Sequence, residues 1–271
     1  MDKHTTRIIY NKSSYAVFIL ILMSFSLAAC TPVLSSNNST DVKNNSTTLE
    51  TSFIIAKTSL NNSIELHRYA KVTNFTNNTT KINIFYIANQ HGDETKSSVI
   101  AKGFEAAIIN NTAYQERFNT WIIPVANPDG QKLNMHTNYN NQNTNRCWNS
   151  SECYETNQIK SAIDNIENIT LFIDNHALVS GENYSYIYLR TKENLSDSQK
   201  EGICNALNVY LAAFKCNIEQ VNGETNQDIA GYYMTNKARF SILIEVSQAY
   251  TSNETAIQMG ENLTKFISAI I

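Results

Sequence analysis

What the chain lacks narrows its function first. No block of lysine and arginine occurs; 21 Lys+Arg stand against 24 Asp+Glu, a formal net charge of −3. A mildly acidic chain without a basic stripe has the wrong footprint for nucleic acid, so no nucleic-acid partner is expected. The five cysteines include no Cys-x-x-Cys spacing, which argues against a cysteine-held zinc site. The apolar run Ala16–Ala29 stops at about 14 residues, short of the ~20 that a membrane helix needs. No internal repeat is visible.

That short run has a different explanation. Lys3, Arg7 and Lys12 form a basic head before it, and it ends in Leu27-Ala28-Ala29-Cys30. This is the form of a signal peptide, and the small residues before Cys30 resemble the bacterial lipoprotein signal. The resemblance implies cleavage of residues 1–29 and a lipid anchor at Cys30; an ordinary signal peptide cut nearby is the alternative. Thr31 in place of Asp would favour the periplasmic face of the outer membrane in a Gram-negative cell. Loss of three positive and one negative side chain moves the net charge from −3 to −5. Residues 30–50 are polar, cannot bury apolar area, and read as a tether. Asn-x-Ser/Thr triplets such as Asn61-Asn62-Ser63 reflect a bias towards Asn, Ser and Thr.

Residues 51–271 are ample for one domain. Extended apolar runs occur at Phe53–Ala56, Ile64–Ala70, Lys81–Ala88, Trp121–Ala126, Thr170–Ile173, Tyr184–Leu189 and Phe240–Val246. Helical periodicity occurs at Glu94–Ile109, Thr156–Ile166, Asp197–Phe214 and Asn253–Ile270. Strands alternating with helices predict an α/β fold with a mixed, mostly parallel sheet, whose ligands sit at the carboxyl ends of strands. After Cys30, four cysteines allow two bridges in three pairings; the local pairs Cys147–Cys153 and Cys204–Cys216 are preferred.

The chemistry concentrates in a few stretches. Gln90-His91-Gly92-Asp93-Glu94 follows an apolar strand, so His91 and Glu94 stand side by side at a helix start. They form two thirds of a zinc site of the two-His-one-carboxylate kind. Leu171-Phe172-Ile173-Asp174-Asn175-His176 ends on an imidazole that would complete it, with Asp174 on the same side. Glu245 lies inside Phe240–Val246, where an ionised carboxylate is costly to keep without a partner. Beside zinc-activated water such a group suits a general base and acid, since burial and the cation pull its proton affinity in opposite directions. Asn145 and Arg146 offer an amide and a guanidinium fork matched to a carboxylate.

These pieces, with Asn127-Pro128-Asp129-Gly130 between them, resemble in kind and order the zinc carboxypeptidase family. Their compact form is most similar to its small bacterial members, such as murein peptide amidase. The resemblance implies an α/β/α sandwich around an eight-stranded sheet, Zn²⁺ held by His91, Glu94 and His176, Glu245 as the base, and Asn145 with Arg146 on the substrate's free carboxylate. A peptide or muropeptide substrate and a monomer are expected.

Three positions depart from the family. His136 stands where the small bacterial members usually carry an oxyanion-stabilising Arg; it can donate one hydrogen bond but not the fork. Asn143 stands for an Asp that usually orients the first zinc His, and Cys147 for a second Asn. Tyr232 and Tyr233 are candidates for a substrate-capping Tyr. Two readings follow: an active, lipid-anchored envelope peptidase, or a weakened relative that binds such peptides without cutting them. A deacylase of the aspartoacylase type shares the metal pattern but not Asn127–Gly130.

Overall fold

The computed structural model describes residues 48–71, 81–212, 214–220 and 237–271. The signal peptide, nearly all of the tether, and Tyr232 and Tyr233 lie outside the described residues. No helix among the described residues is long and apolar enough to cross a membrane.

Eight strands form one sheet: β1 (Thr48–Lys57), β2 (Ser63–Lys71), β3 (Ile82–Ala88), β4 (Phe118–Ile123), β5 (Ile169–Leu178), β6 (Ser185–Thr191), β7 (Phe214–Gln220) and β8 (Ala238–Ser247). Their spatial order is β1-β2-β4-β3-β5-β8-β6-β7. The centre, β4-β3-β5-β8, is parallel throughout, and β6 pairs parallel with β7. Antiparallel pairing joins β1 to β2, β2 to β4, and β6 to β8. The expected mixed, mostly parallel eight-stranded α/β fold is therefore present.

Among the described residues the helices are α1 (Thr95–Ile109), α2 (Thr112–Arg117), α3 (Pro128–Leu133), α4 (Tyr154–Asp164), α5 (Asp197–Tyr210) and α6 (Asn253–Ile270). On one face of the sheet, Ile100, Ala101, Phe104 and Ile108 of α1 and Met259, Leu263, Phe266 and Ile267 of α6 pack on Ile84, Tyr86, Ile173 and Ile244. On the other face Ile159 and Ile163 of α4 join Trp148 over Phe85, Ile87, Phe172 and Ile123. Central strands buried on both faces must be apolar throughout, and β3 is buried from Ile84 to Ala88.

Several boundaries differ from the sequence expectation, among them β4, expected at Trp121–Ala126 and found at Phe118–Ile123, and α4, expected at Thr156–Ile166 and found at Tyr154–Asp164; three differences have a local cause. The helix expected over Asp197–Phe214 ends at Tyr210, and Phe214 opens β7. Phe214, Cys216 and Ile218 recur every second residue and pack on the α1/α6 side, as an edge strand requires. The strand expected at Thr170–Ile173 runs on to Leu178, so His176 lies within β5 and not at its end. Asn-Pro-Asp-Gly is the start of α3 and not only a turn: Asn127 Oδ1 accepts from the Gly130 N–H at 2.9 Å, and Pro128 occupies the first turn, where no donor is needed. Both preferred disulfides are formed, Cys147–Cys153 and Cys204–Cys216.

Candidate metal and catalytic site

Three parallel strands deliver the candidate residues to one end of the sheet. His91 lies just past β3, Asp174 and His176 near the end of β5, and Glu245 near the end of β8. His176 and Glu245 are direct partners in the β5–β8 register. Glu94 occupies the N-cap position of α1, but its side chain makes no cap hydrogen bond. The carboxylate turns to the imidazoles instead. Its Oε1 lies 2.7 Å from Nδ1 of His91, and its Oε2 lies 2.7 Å from Nδ1 of His176. The Ala177 N–H also donates to Oε2, at 3.1 Å. One carboxylate thus joins a histidine just past β3 to one within β5, and all three side chains are buried.

The opposite ring nitrogens have unlike partners. Nε2 of His176 lies 3.1 Å from Asp174 Oδ1, which also accepts from Gln90 Nε2 at 2.7 Å. Gln90 in turn accepts from Trp148 Nε1 at 2.8 Å, giving a buried chain from indole to imidazole. Asn145 Nδ2 stands 3.3 Å from His176 Nε2. Nε2 of His91, by contrast, faces the neutral Asn143 Oδ1 at 3.1 Å, so the amide does accept the imidazole N–H. Gln90 and Trp148 were not singled out by sequence reasoning. Their one signal was position, since each adjoins a candidate stretch.

Charge is unbalanced here. Burial opposes ionisation of Glu94, yet the neighbouring imidazoles, His176 foremost, hold its carboxyl well below the usual range. Burial would lower the His176 pKa, but Asp174 and Glu94 outweigh it and raise it well above the ordinary value. Glu245 is pushed up to about 7, first by burial and then by Glu94 and Asp174, against the pull of His176. Three carboxylates therefore crowd one imidazole, and Asp174 Oδ2 is buried without a hydrogen-bond partner. Such an arrangement fits a bound cation, since buried carboxylates otherwise need compensating partners.

His136 also reaches this place. Its ring stacks on that of His91 with centroids 3.7 Å apart and 20° between planes. Gly92 makes this possible: a Cβ there would lie 2.0 Å from the Gly130 carbonyl carbon, so only glycine lets the His91 loop sit directly on α3. Among the described residues, His91, Glu94 and His136 each offer a ligand atom within 4.8 Å of the others. The structure thus brings together His91, Glu94, His136, His176 and Asn145, with Glu245 alongside. Arg146 follows Asn145 in a 3₁₀ turn and is exposed to solvent.

Comparison with known proteins agrees. The zinc carboxypeptidase family model matches residues 39–161, a span that includes His91, Glu94, His136, Asn145 and Arg146 but neither His176 nor Glu245. A search of curated sequences finds no significant match. Among solved structures, a metallo-carboxypeptidase from Burkholderia cenocepacia aligns with a TM-score of 0.66 and 18% identity, over 81% of this chain and 64% of that one. A carboxypeptidase A from Helicoverpa armigera aligns at 0.59 and 16%, over 82% and 68%. A Pseudomonas aeruginosa metallo-carboxypeptidase, solved with (2-guanidinoethylmercapto)succinic acid, aligns at 0.57 and 17%, over 81% and 65%. The chain spans about two thirds of the length of these proteins. The match over residues 39–161 and the fold make the chain similar to the zinc carboxypeptidases.

Proposed function

We propose that this chain is a zinc-dependent metallocarboxypeptidase, with peptides that end in a free carboxylate as substrates and cell-wall peptides foremost. The observation that carries the proposal is the pair of 2.7 Å contacts from Glu94 to Nδ1 of His91 and of His176, beside Glu245. A zinc ion would be held by His91, Glu94 and His176, each through an atom that now meets its neighbour directly. The chemistry zinc supplies at such a site is Lewis acidity, which makes water nucleophilic near neutral pH.

The chain's own residues do the remaining work. Glu245, with its carboxyl near 7, takes the proton of the attacking water and hands it to the leaving amine, because its proton affinity matches both tasks. Arg146, exposed at the site's edge, forms a bidentate pair with the substrate carboxylate. Asn145 adds an amide donor from the buried side. The succinic acid derivative bound to the Pseudomonas protein also carries carboxylates, which is compatible with this clamp.

The envelope location rests on the sequence around Cys30, and two disulfides are compatible with an oxidising compartment. A lipid-anchored protein there would meet the peptide stems of the cell wall. A second reading has one observation in its favour. His136 engages Asp93 through Nδ1, so one ring nitrogen at most remains for an oxyanion in place of a guanidinium fork, and a chain short of that donor would bind peptides and cut them slowly.

The two are separated by incubating the purified domain with muropeptides and with ordinary peptides, wild type beside Glu245→Gln. Product from the wild type alone is expected. No product from the wild type with any peptide, while the peptides still bind, would establish the binder instead.

A further inference from the structure

Glu94 stands at the N-cap position of α1, where a side-chain acceptor ordinarily takes the N–H of the second or third helical residue. Its carboxylate meets His91 and His176 instead and makes no cap hydrogen bond. The helix start must then find acceptors elsewhere, because the first N–H groups of a helix have no partner within it. The Ser97 N–H reaches the Glu94 carbonyl at 3.2 Å. The Lys96 N–H is taken by a residue from beyond β8. It donates to Oε1 of Gln248 at 3.3 Å, across 152 positions of sequence.

Gln248 makes two further bonds. Its Nε2 donates to the Asp93 carbonyl at 2.8 Å, and its own N–H donates to the Leu178 carbonyl at 3.1 Å. Gln248 follows Glu245 closely in the chain, as Leu178 follows His176. One residue therefore ties together the segments that carry Glu94, His176 and Glu245. An amide is the fitting group, since it presents an acceptor and a donor at once. A carboxylate would supply the first only, and an alkyl chain neither.

We propose that Gln248 is a positioning residue: it caps α1 in place of Glu94 and so leaves the Glu94 carboxylate to the two imidazoles. The inference rests on the zinc site proposed above and adds to it a residue outside the ligand set. Without that amide, the positive end of the helix draws the Glu94 carboxylate back towards its own first turn, at the expense of His91 and His176. The segment from Asp93 to Lys96 also loses its tie to the end of β8.

The test reads zinc affinity by competition with a chelator, together with the thermal melt and the Lys96 amide hydrogen exchange of the metal-free protein. Wild type is compared with Gln248→Met, which keeps the side chain's length and removes its hydrogen bonds, and with Gln248→Glu, which keeps the acceptor. Ser196→Ala serves as a matched defect, because Ser196 caps α5 by accepting from the Gln199 N–H at 3.3 Å, outside the segments that Gln248 joins. Gln248→Met should lower zinc affinity roughly tenfold or more, speed exchange at Lys96 and lower the melt by about 2–4 °C. Ser196→Ala should lower the melt by a similar amount and leave zinc affinity unchanged. Gln248→Glu should stay near wild type in affinity, with Lys96 still slow to exchange. Should Gln248→Met fail to fold, Gln248→Glu decides alone, and a loss of zinc as large as that of His176→Ala would overturn the cap role. Zinc affinity in Gln248→Met equal to wild type, or lowered no more than in Ser196→Ala, with metal lost from His176→Ala, would overturn the positioning role and leave the site intact. Metal retained by His176→Ala would bring down the site itself.

Discussion

The two buried histidines of the site differ in what surrounds them. His176 sits within a central strand, between Asp174, Glu94 and Glu245. His91 sits on a loop, between the amide of Asn143 and the ring of His136. The inner imidazole is held by charge and by buried hydrogen bonds that reach Trp148. The outer one shares the Glu94 carboxylate but otherwise meets only the Asn143 amide and the half-exposed ring of His136. Asp174 and Glu245 add their charge on the inner side, and that side should govern both metal affinity and the cost of an empty site.

The strongest way to break this contrast is to remove the metal and titrate. The carboxyl of Glu245 stands at about 7, raised from 4.5. The native state therefore binds that proton more tightly than the unfolded chain does. Its contribution to stability is full below pH 4.5 and lost as pH rises through 7. Metal-free Glu245→Gln should accordingly outlast metal-free wild type at pH 8, by up to roughly 3 kcal/mol, and the gap should close by pH 4.5. Urea melts at the two pH values measure it; an equal gap at both would remove the charge argument.

Next in size is Asp174→Asn, which keeps the shape and removes the charge behind His176. Zinc affinity should fall about 10- to 100-fold. Asn143→Asp adds a charge behind His91 instead and should raise affinity by up to about tenfold. Chelator competition reads both. If the two substitutions had equal and opposite effects, the inner and outer histidines would be equivalent and the contrast would fail.

The smallest effect lies away from the site. His67 Nδ1 meets Glu105 at 2.5 Å, and its other nitrogen meets Glu65 at 3.2 Å. The Glu105 hydrogen bond, set against burial, raises its pKa. That contribution is full below about 6.5 and lost as pH rises through the raised value. His67→Gln should lower the melting temperature at pH 5.5 by a few degrees and leave it unchanged at pH 9. A similar loss at both values would mean that His67 acts by packing alone.

Much of this site was legible in the sequence because its parts break local rules. A Glu within Phe240–Val246 and an Asp-Asn-His in a buried strand are out of place unless they are partnered. The strand before His91 was legible from its unbroken apolar run. What could not be read were contacts made across strands. The Trp148–Gln90–Asp174 chain joins residues 58 and 84 positions apart, and no spacing rule links them. The stacking of His136 on His91 depends on a missing Cβ at Gly92, which looks like any glycine in a loop. β7 was missed because its alternating apolar residues begin so soon after a helix ends.

The Cys147–Cys153 bridge closes a loop directly beside Asn143, Asn145 and Arg146, and Cys147 Sγ lies 3.3 Å from the Asn143 carbonyl oxygen. Asn143, which meets His91, and Arg146, the proposed substrate clamp, thus hang on a covalent clasp. Protein made in a reducing cytoplasm would leave that clasp open. Material for every assay above should be secreted or refolded under oxidising conditions, with free thiols counted before turnover is measured.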